Sequence, residues 1–312
     1  MNRLQVALGI IEDKSGKILL SKRNKGVHLE GYWEFPGGKV GNDESYKLAL
    51  RRELFEELNI KVITTNKLFE FEYRYSDLLI SFQVFRVSSY QGEAVGAERQ
   101  SIQWVHSKDL LMVQLPPANA AIIDVLQLPP QYMIADFDVL QDSLSEIVEQ
   151  RLREGISIIQ LRARSLHKKD YLALADKLLQ LCERYQARFI FNCNLAWLDN
   201  IGSNNVHLTS SQLKECIKNE NLLGRKQIFS VACHNEGEIK QANLLGARCI
   251  LLGAVNKTQS HPALNPLGWS KFGQLCCLAN LPVYALGGVG AQDISTALVL
   301  GGQGVAGIRN FM

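Results

Sequence analysis

The sequence predicts two folded units in tandem, a β-rich α+β unit followed by a (β/α)8 barrel. Three observations carry this reading. The chain has 312 residues, about twice the ~150 of a common domain. Two adjacent prolines, Pro129 and Pro130, interrupt it in the stretch LQLPPQY, and proline continues neither a helix nor a sheet ladder. Before them, strand-like runs gather around one strong helix; after them, short apolar runs alternate with helical stretches. The units are therefore residues 1–128 and 131–312.

In the first unit, QVALGIIED and KILLSKR read as strands joined by a DKSG turn. The opening MNRLQVALGI has no apolar core followed by a cleavage site, so it reads as strand and not as signal peptide. GNDESYKLALRRELFEEL has helical periodicity, with Leu48, Leu54 and Leu58 expected on the buried face. LFEFEYRY and LISFQVFRV follow as strands. Ala120 to Leu126 reads as a short apolar helix after Pro116–Pro117. In the second unit YMIADF, SIIQLRA, RFIFNC, NVHLT, IFSVAC, RCILLGAV, PVYALGG and GVAGIR are the strand candidates. Helical stretches such as KKDYLALADKLLQLCERYQ and EGEIKQANLLG lie between them. Such alternation predicts a closed barrel, with a doubly wound sheet as the alternative. The chain ends at Met312, so the eighth strand is expected to lack its helix.

Composition removes several function classes. With 46% hydrophobic and 21% charged residues, the chain is an ordinary soluble globular one and not mainly disordered. No apolar run approaches the ~20 residues of a spanning helix, so no membrane association is expected. A net charge of +3, from 34 basic and 31 acidic residues, is too even for a nucleic-acid-binding surface. The seven cysteines form no CxxC pair and all lie in the second unit. They read as reduced thiols in a cytoplasmic protein.

The densest chemistry lies between Gly38 and Ile60. On a helix, Glu53, Glu56 and Glu57 stand at i, i+3 and i+4, so their carboxylates can share one patch. A hard divalent cation, Mg²⁺ or Mn²⁺, relieves that repulsion and brings phosphate oxygens with it. Gly37-Gly38 lets the backbone turn toward such an ion. The plainer alternative is a solvated acidic helix face partnered by Arg52.

The whole stretch resembles the Nudix box, GX5EX7REUXEEXGU with U aliphatic. Gly38, Glu44, Arg52-Glu53-Leu54, Glu56-Glu57 and Ile60 match it. The last glycine is Asn59, the next-best residue for a left-handed helix end. Residues 1–128 further resemble MutT-type members in ALGII, Ser21-Lys22-Arg23, EFPGGK, Glu98 and PPAN. The resemblance implies an α/β/α sandwich with a mixed sheet. It implies Mg²⁺-dependent hydrolysis of a nucleoside triphosphate to monophosphate and pyrophosphate, with 8-oxo-dGTP as the small-molecule substrate. Glu53, Glu56, Glu57 and the Gly38 carbonyl would hold metal, and Glu98 would ligate or orient water. Glu44 and Arg52 would support them, and Lys39 or Arg23 would offset phosphate charge. Asn119, both donor and acceptor, would read a purine edge. Phe35 would flank the ring, and Arg23 would meet phosphate or a base carbonyl. Taken singly, these last three also read as a loop-capping Asn, a core aromatic and a surface Arg. The strand at Leu78 departs from the family pattern.

Residues 131–312 resemble the thiamine phosphate synthase and TenI family. The matching pieces are QLRAR, FNCN, NVHL, TQSHP, YALGGV and GVAGIR. The resemblance implies a ligand site made by Gln160, Arg162, Arg164, Asn192, His234, Thr258, Gly287, Gly288 and Gly307. Its glycine turns would hold a thiamine-related phosphate. Synthases of the family hold Mg²⁺ with two Asp, which here align with Cys193 and Gln212. Neither suits a hard cation. The family's TxTK stretch reads Thr258-Gln259-Ser260-His261. The expected barrel is therefore a degenerate, ligand-binding one. His234 falls near a position where tautomerases of the family carry a His. The rival expectation is a thiamine-pathway protein, whose first unit hydrolyses pyrimidine or thiamine diphosphates and whose barrel is a synthase or tautomerase.

Overall fold

The computed structural model describes the chain except residues 1, 27–28, 76–77, 201–204, 220–221, 223–226, 259–264 and 312. It divides into two compact units, Met1–Leu128 and Pro129–Met312. In the first, β1 (Asn2–Ile11), β2 (Lys17–Lys22), β3 (Trp33–Glu34) and β4 (Gly37–Lys39) precede α1 (Tyr46–Leu58). Then come β5 (Lys61–Arg74), β6 (Leu78–Gln91), β7 (Ile102–His106) and α2 (Ala120–Leu126). One sheet has the order β4-β1-β6-β5, the other β3-β2-β7. The larger sheet is mixed, because β1 runs parallel to β6 and antiparallel to β4.

The alternation of β1 builds the layers. Ala7 and Ile11 join Leu50, Leu54 and Leu58 of α1 in one core cluster. Leu8 and Ile10 join Ile122, Ile123 and Val125 of α2 in the other. The result is the α/β/α sandwich. The buried face of α1 differs from the one expected: Leu48 is exposed, while Ala49, Leu50, Leu54 and Leu58 are buried. Leu50, Leu54 and Leu58 follow at i+4 steps, and Leu48 sits about 120° round the helix from Leu54. The helix starts at Ser45, whose hydroxyl accepts from the Leu48 N–H at 3.3 Å. It stops at Asn59, left-handed at φ 55°, whose N–H reaches the Leu54 and Phe55 carbonyls.

The second unit is a closed barrel in which all neighbouring strands are parallel. Its strands are β8 (Gln131–Asp136), β9 (Ile158–Arg162), β10 (Arg188–Asn192) and β11 (Asn205–Leu208). They continue with β12 (Gln227–Cys233), β13 (Cys249–Gly253), β14 (Val283–Leu286) and β15 (Gly304–Gly307). Every expected apolar run is one of them, and closure excludes the doubly wound alternative. The helices between strands are α3 (Phe137–Leu140) and α4 (Leu144–Arg153), then α5 (Lys168–Arg184), α6 (Ser210–Lys218), α7 (Glu236–Leu244), α8 (Gly268–Cys276) and α9 (Ile294–Val299). After β15 the described chain makes only a 3-10 turn, Arg309–Phe311.

A buried polar chain crosses the barrel interior. The Tyr132 hydroxyl donates to Gln160 Oε1 at 2.9 Å and meets Ser230 Oγ at 2.9 Å. Ser230 Oγ in turn meets His207 Nδ1 at 2.8 Å. Burial, with Arg162 nearby, pushes His207 down to about 3, so its ring is neutral. Parallel strands bring Asp136, Arg162, Asn192 and Gly307 to the same rim, the end at which barrel sites form. Among the described residues, no helix is long and apolar enough to cross a membrane.

Candidate active site

A cavity of about 820 Å³ opens in the first unit. Glu53, Glu57, Gly38, Lys39, Arg23, Glu34 and Asn119 line it, and Val6, Leu78, Ile80 and Phe82 add apolar wall. Two glycines let β4 lie against α1. A Cβ on Gly38 would occupy the place of the Glu53 carboxylate, and one on Gly37 would strike the Ala7 carbonyl. Gly37 has φ 137°, a backbone state that favours glycine. Its N–H donates to Glu57 Oε2 at 3.2 Å. Burial pushes Glu57 up to about 8, the Gly37 N–H opposing and Glu34, Glu53 and Glu98 adding repulsion.

Arg52 holds the other carboxylates. It donates to Glu44 at 3.1 and 2.9 Å, to Glu53 Oε1 at 2.7 Å and to Glu56 Oε2 at 3.2 Å. It also donates to the Lys39 carbonyl at 3.0 Å. These bonds draw Glu44 below the usual carboxylate range. Glu56 is exposed and turned to Arg52, so two helix carboxylates, not three, face the cavity. Among the described residues, no three His, Cys, Asp or Glu side chains close into an ion-holding group. The donors at the cavity, Glu53, Glu57 and the Gly38 backbone, are nonetheless hard oxygens. They fit Mg²⁺ or Mn²⁺.

Glu98 lies exposed on the loop after β6 and does not line the cavity. The loop is pinned to the end of α1, since Ala97 N–H and Gln100 Nε2 donate to the Glu57 carbonyl at 2.9 and 2.7 Å. Gln100 Oε1 accepts from the Glu98 N–H at 2.9 Å. No spacing rule marks Gln100 in the sequence.

Asn119, which also lines the cavity, is 5% exposed, and its amide nitrogen has no partner among the described residues. Arg23 forms an ion pair with Glu34, whose carboxyl is raised by burial and lowered by that arginine. Phe35 is fully buried in the core cluster with Ile122 and does not line the cavity. Successive side chains of an extended segment point to opposite sides. Glu34 therefore faces the cavity and Phe35 the core, which corrects the ring-flanking expectation. Sequence reading missed Glu34, Ile80 and Phe82 as lining groups.

At the barrel rim, Arg162 is ion-paired with the buried Asp136. Gln160 is buried in the polar chain, and Arg164 is exposed, its N–H donating to Asp138 at 3.2 Å. Asn192 closes β10. His234 Nδ1 donates to the Gly253 carbonyl at 2.5 Å. Gly287 and Gly288 turn the chain after β14, with Thr258 against Gly287. Gln259, Ser260 and His261 lie outside the described residues. Gln212 and Cys193 are joined: Gln212 Nε2 donates to the Cys193 carbonyl at 2.7 Å. Gln212 Oε1 accepts from Thr209 N–H and Oγ1 at 3.0 and 2.9 Å, closing the capping box of α6. Burial pushes the Cys193 thiol up to about 11.

The NUDIX domain family matches residues 7–125, and the thiamine monophosphate synthase family matches residues 131–311, more than half of the chain. Over 120 residues the chain is 40% identical to the 8-oxo-dGTP diphosphatase of Haemophilus influenzae, covering 38% of this chain and 88% of that protein. The chain belongs to both families. Its NUDIX unit is also 34% identical to the CTP pyrophosphohydrolase of Escherichia coli, covering 40% of this chain and 91% of that protein. Its synthase-type unit is 27% identical to a thiamine-phosphate synthase of Fusobacterium nucleatum, covering 53% of this chain and 80% of that protein. In the NUDIX unit the residues present fit a divalent cation. At Cys193 and Gln212 of the synthase-type unit there is no hard-cation carboxylate: burial raises the Cys193 thiol to about 11, and both polar atoms of the Gln212 amide are engaged.

Proposed function

We propose that the chain is a divalent-metal-dependent pyrophosphohydrolase of 8-oxo-dGTP, carrying a barrel that binds a phosphate-bearing ligand without synthase chemistry. The observation that carries the first part is Asn119. Its buried amide nitrogen lacks a partner among the described residues, and the residue shares one cavity with Glu53 and Glu57. A buried unsatisfied donor costs ~1–3 kcal/mol. The carbonyl of a bound purine offsets that cost. A cavity of about 820 Å³ is of the size that holds small ligands.

In the reaction, water forms a bond to phosphorus as the phosphoanhydride bond breaks, giving monophosphate and pyrophosphate. A bound Mg²⁺ would supply charge neutralisation and a more acidic water. Glu53, Glu57 and the Gly38 carbonyl would hold it. Lys39 and Arg23 would meet the phosphates, where charge develops. Arg52 fixes Glu53 and Glu44 in place. Pyrophosphate release with Mg²⁺, measured on 8-oxo-dGTP, dGTP and CTP, tests the substrate. Equal rates on all three overturn the 8-oxoguanine claim, and preference for CTP favours the cytidine reading that one relative's name suggests.

For the barrel, the joined Gln212 and Cys193 support loss of metal-assisted pyrimidine transfer. Incubation with thiazole phosphate and pyrimidine diphosphate should yield no thiamine phosphate. Its formation would reject this reading.

A further inference from the structure

The carboxylate of Glu34 has no task in the hydrolysis described above, yet it lines the same cavity. It stands on β3, opposite Ser21 of β2. Arg23, just beyond Ser21, reaches across and donates to Glu34 Oε2. Among the described residues Oε1 takes no hydrogen bond. Burying a carboxylate is unfavourable unless its oxygens find donors, and this one is provided for at a single oxygen. The open oxygen is an acceptor at the cavity wall.

Asn119 supplies the opposite group, a donor with no partner among the described residues. Tyr75 lies near both residues. Its hydroxyl meets the backbone of Ala118, and Arg23 and Glu34 act on it electrostatically. The wall therefore offers one donor and one charged acceptor to a base. A guanine-type edge is complementary, with the O6 acceptor beside the N1–H and 2-amino donors.

We propose that Glu34 is a specificity-determining residue, accepting from the 2-amino side of a guanine-type base while Asn119 donates to O6. This rests on the nucleotide-hydrolysis reading and names the part of the base that Glu34 recognises. It assigns Glu34 no role toward the oxygen at C8. The competing role is structural, with Glu34 serving only to hold Arg23.

The test uses the full-length chain with Mg²⁺ and two substrates, 8-oxo-dGTP and 8-oxo-dITP, which lacks the 2-amino group. Wild-type protein should favour 8-oxo-dGTP about tenfold or more in kcat/KM, mainly through KM, as expected for a hydrogen bond to a charged group. Glu34→Ala should abolish that preference. Glu34→Gln, which keeps a carbonyl acceptor and the shape, should retain part of it and guards against loss of folding. Equal loss on both substrates in Glu34→Ala, the preference persisting, would show a purely structural role and overturn the proposal. Wild-type protein that hydrolyses both equally overturns the proposal alone. Wild-type protein that hydrolyses neither overturns the hydrolysis reading and the proposal with it.

Discussion

Arg52 and Gly38 show how single residues set the geometry of the site. One guanidinium spans Glu44, Glu53 and Glu56, and one missing Cβ makes room for the Glu53 carboxylate. Glu53→Gln should lower kcat by about 100-fold, the scale of disturbed metal ligation, with unchanged circular dichroism. Gly38→Ala should act through the same carboxylate, lowering activity while the melting temperature changes little. Full activity in either variant would show that Glu53 is not used. At this scale the sequence was partly legible. The Nudix-box spacing marks Gly38, Arg52 and the glutamates because one helix and one turn set their positions. Phe35 was misread because a segment containing Pro36 and two glycines has too short a pattern to show which side each residue faces. Gln100 and Glu34 act through contacts with residues distant in the chain.

Elements add their own constraints. Helix α1 ends on Asn59 in a left-handed conformation, where glycine carries no Cβ penalty. Asn59→Gly should therefore stabilise the NUDIX unit by up to ~1 kcal/mol, and Asn59→Ala should destabilise it. Chemical denaturation checks both signs. Helix α6 starts with the Thr209–Gln212 box, and the same glutamine ties it to β10. Gln212→Ala should cost the barrel about 1 kcal/mol, read as a lower denaturation midpoint. The barrel strands were legible because strands buried on both faces read as continuous apolar runs. Strands β3, β4 and β7 were not. The first two are short and interrupted by Pro36, and IQWVH in β7 is half-buried and lacks clean alternation.

Across the whole molecule, two units of different architecture carry different chemistry. The barrel interior is tied by Tyr132, Gln160, Ser230 and His207. His207 is lowered from 6.5 to about 3 by burial. The unfolded chain therefore binds a proton there that the folded barrel refuses. Stability is full above about 6.5 and declines as pH falls toward about 3. Unfolding midpoints across that window should fall less steeply for His207→Gln than for the wild type. Equal slopes would show that His207 is not the group responsible. The two-unit organisation was legible at Pro129-Pro130, where strands gathered around one helix give way to alternating strands and helices. That Cys193 and Gln212 carry no carboxylate was legible, though the hydrogen bond between them was not. Pyrophosphate release with Mg²⁺ from 8-oxo-dGTP and from dGTP, using full-length wild type and Glu53→Gln, tests the proposed function most directly. Much faster release from 8-oxo-dGTP, lost in Glu53→Gln, is the predicted result. Equal rates on the two nucleotides, or activity that survives Glu53→Gln, would contradict it.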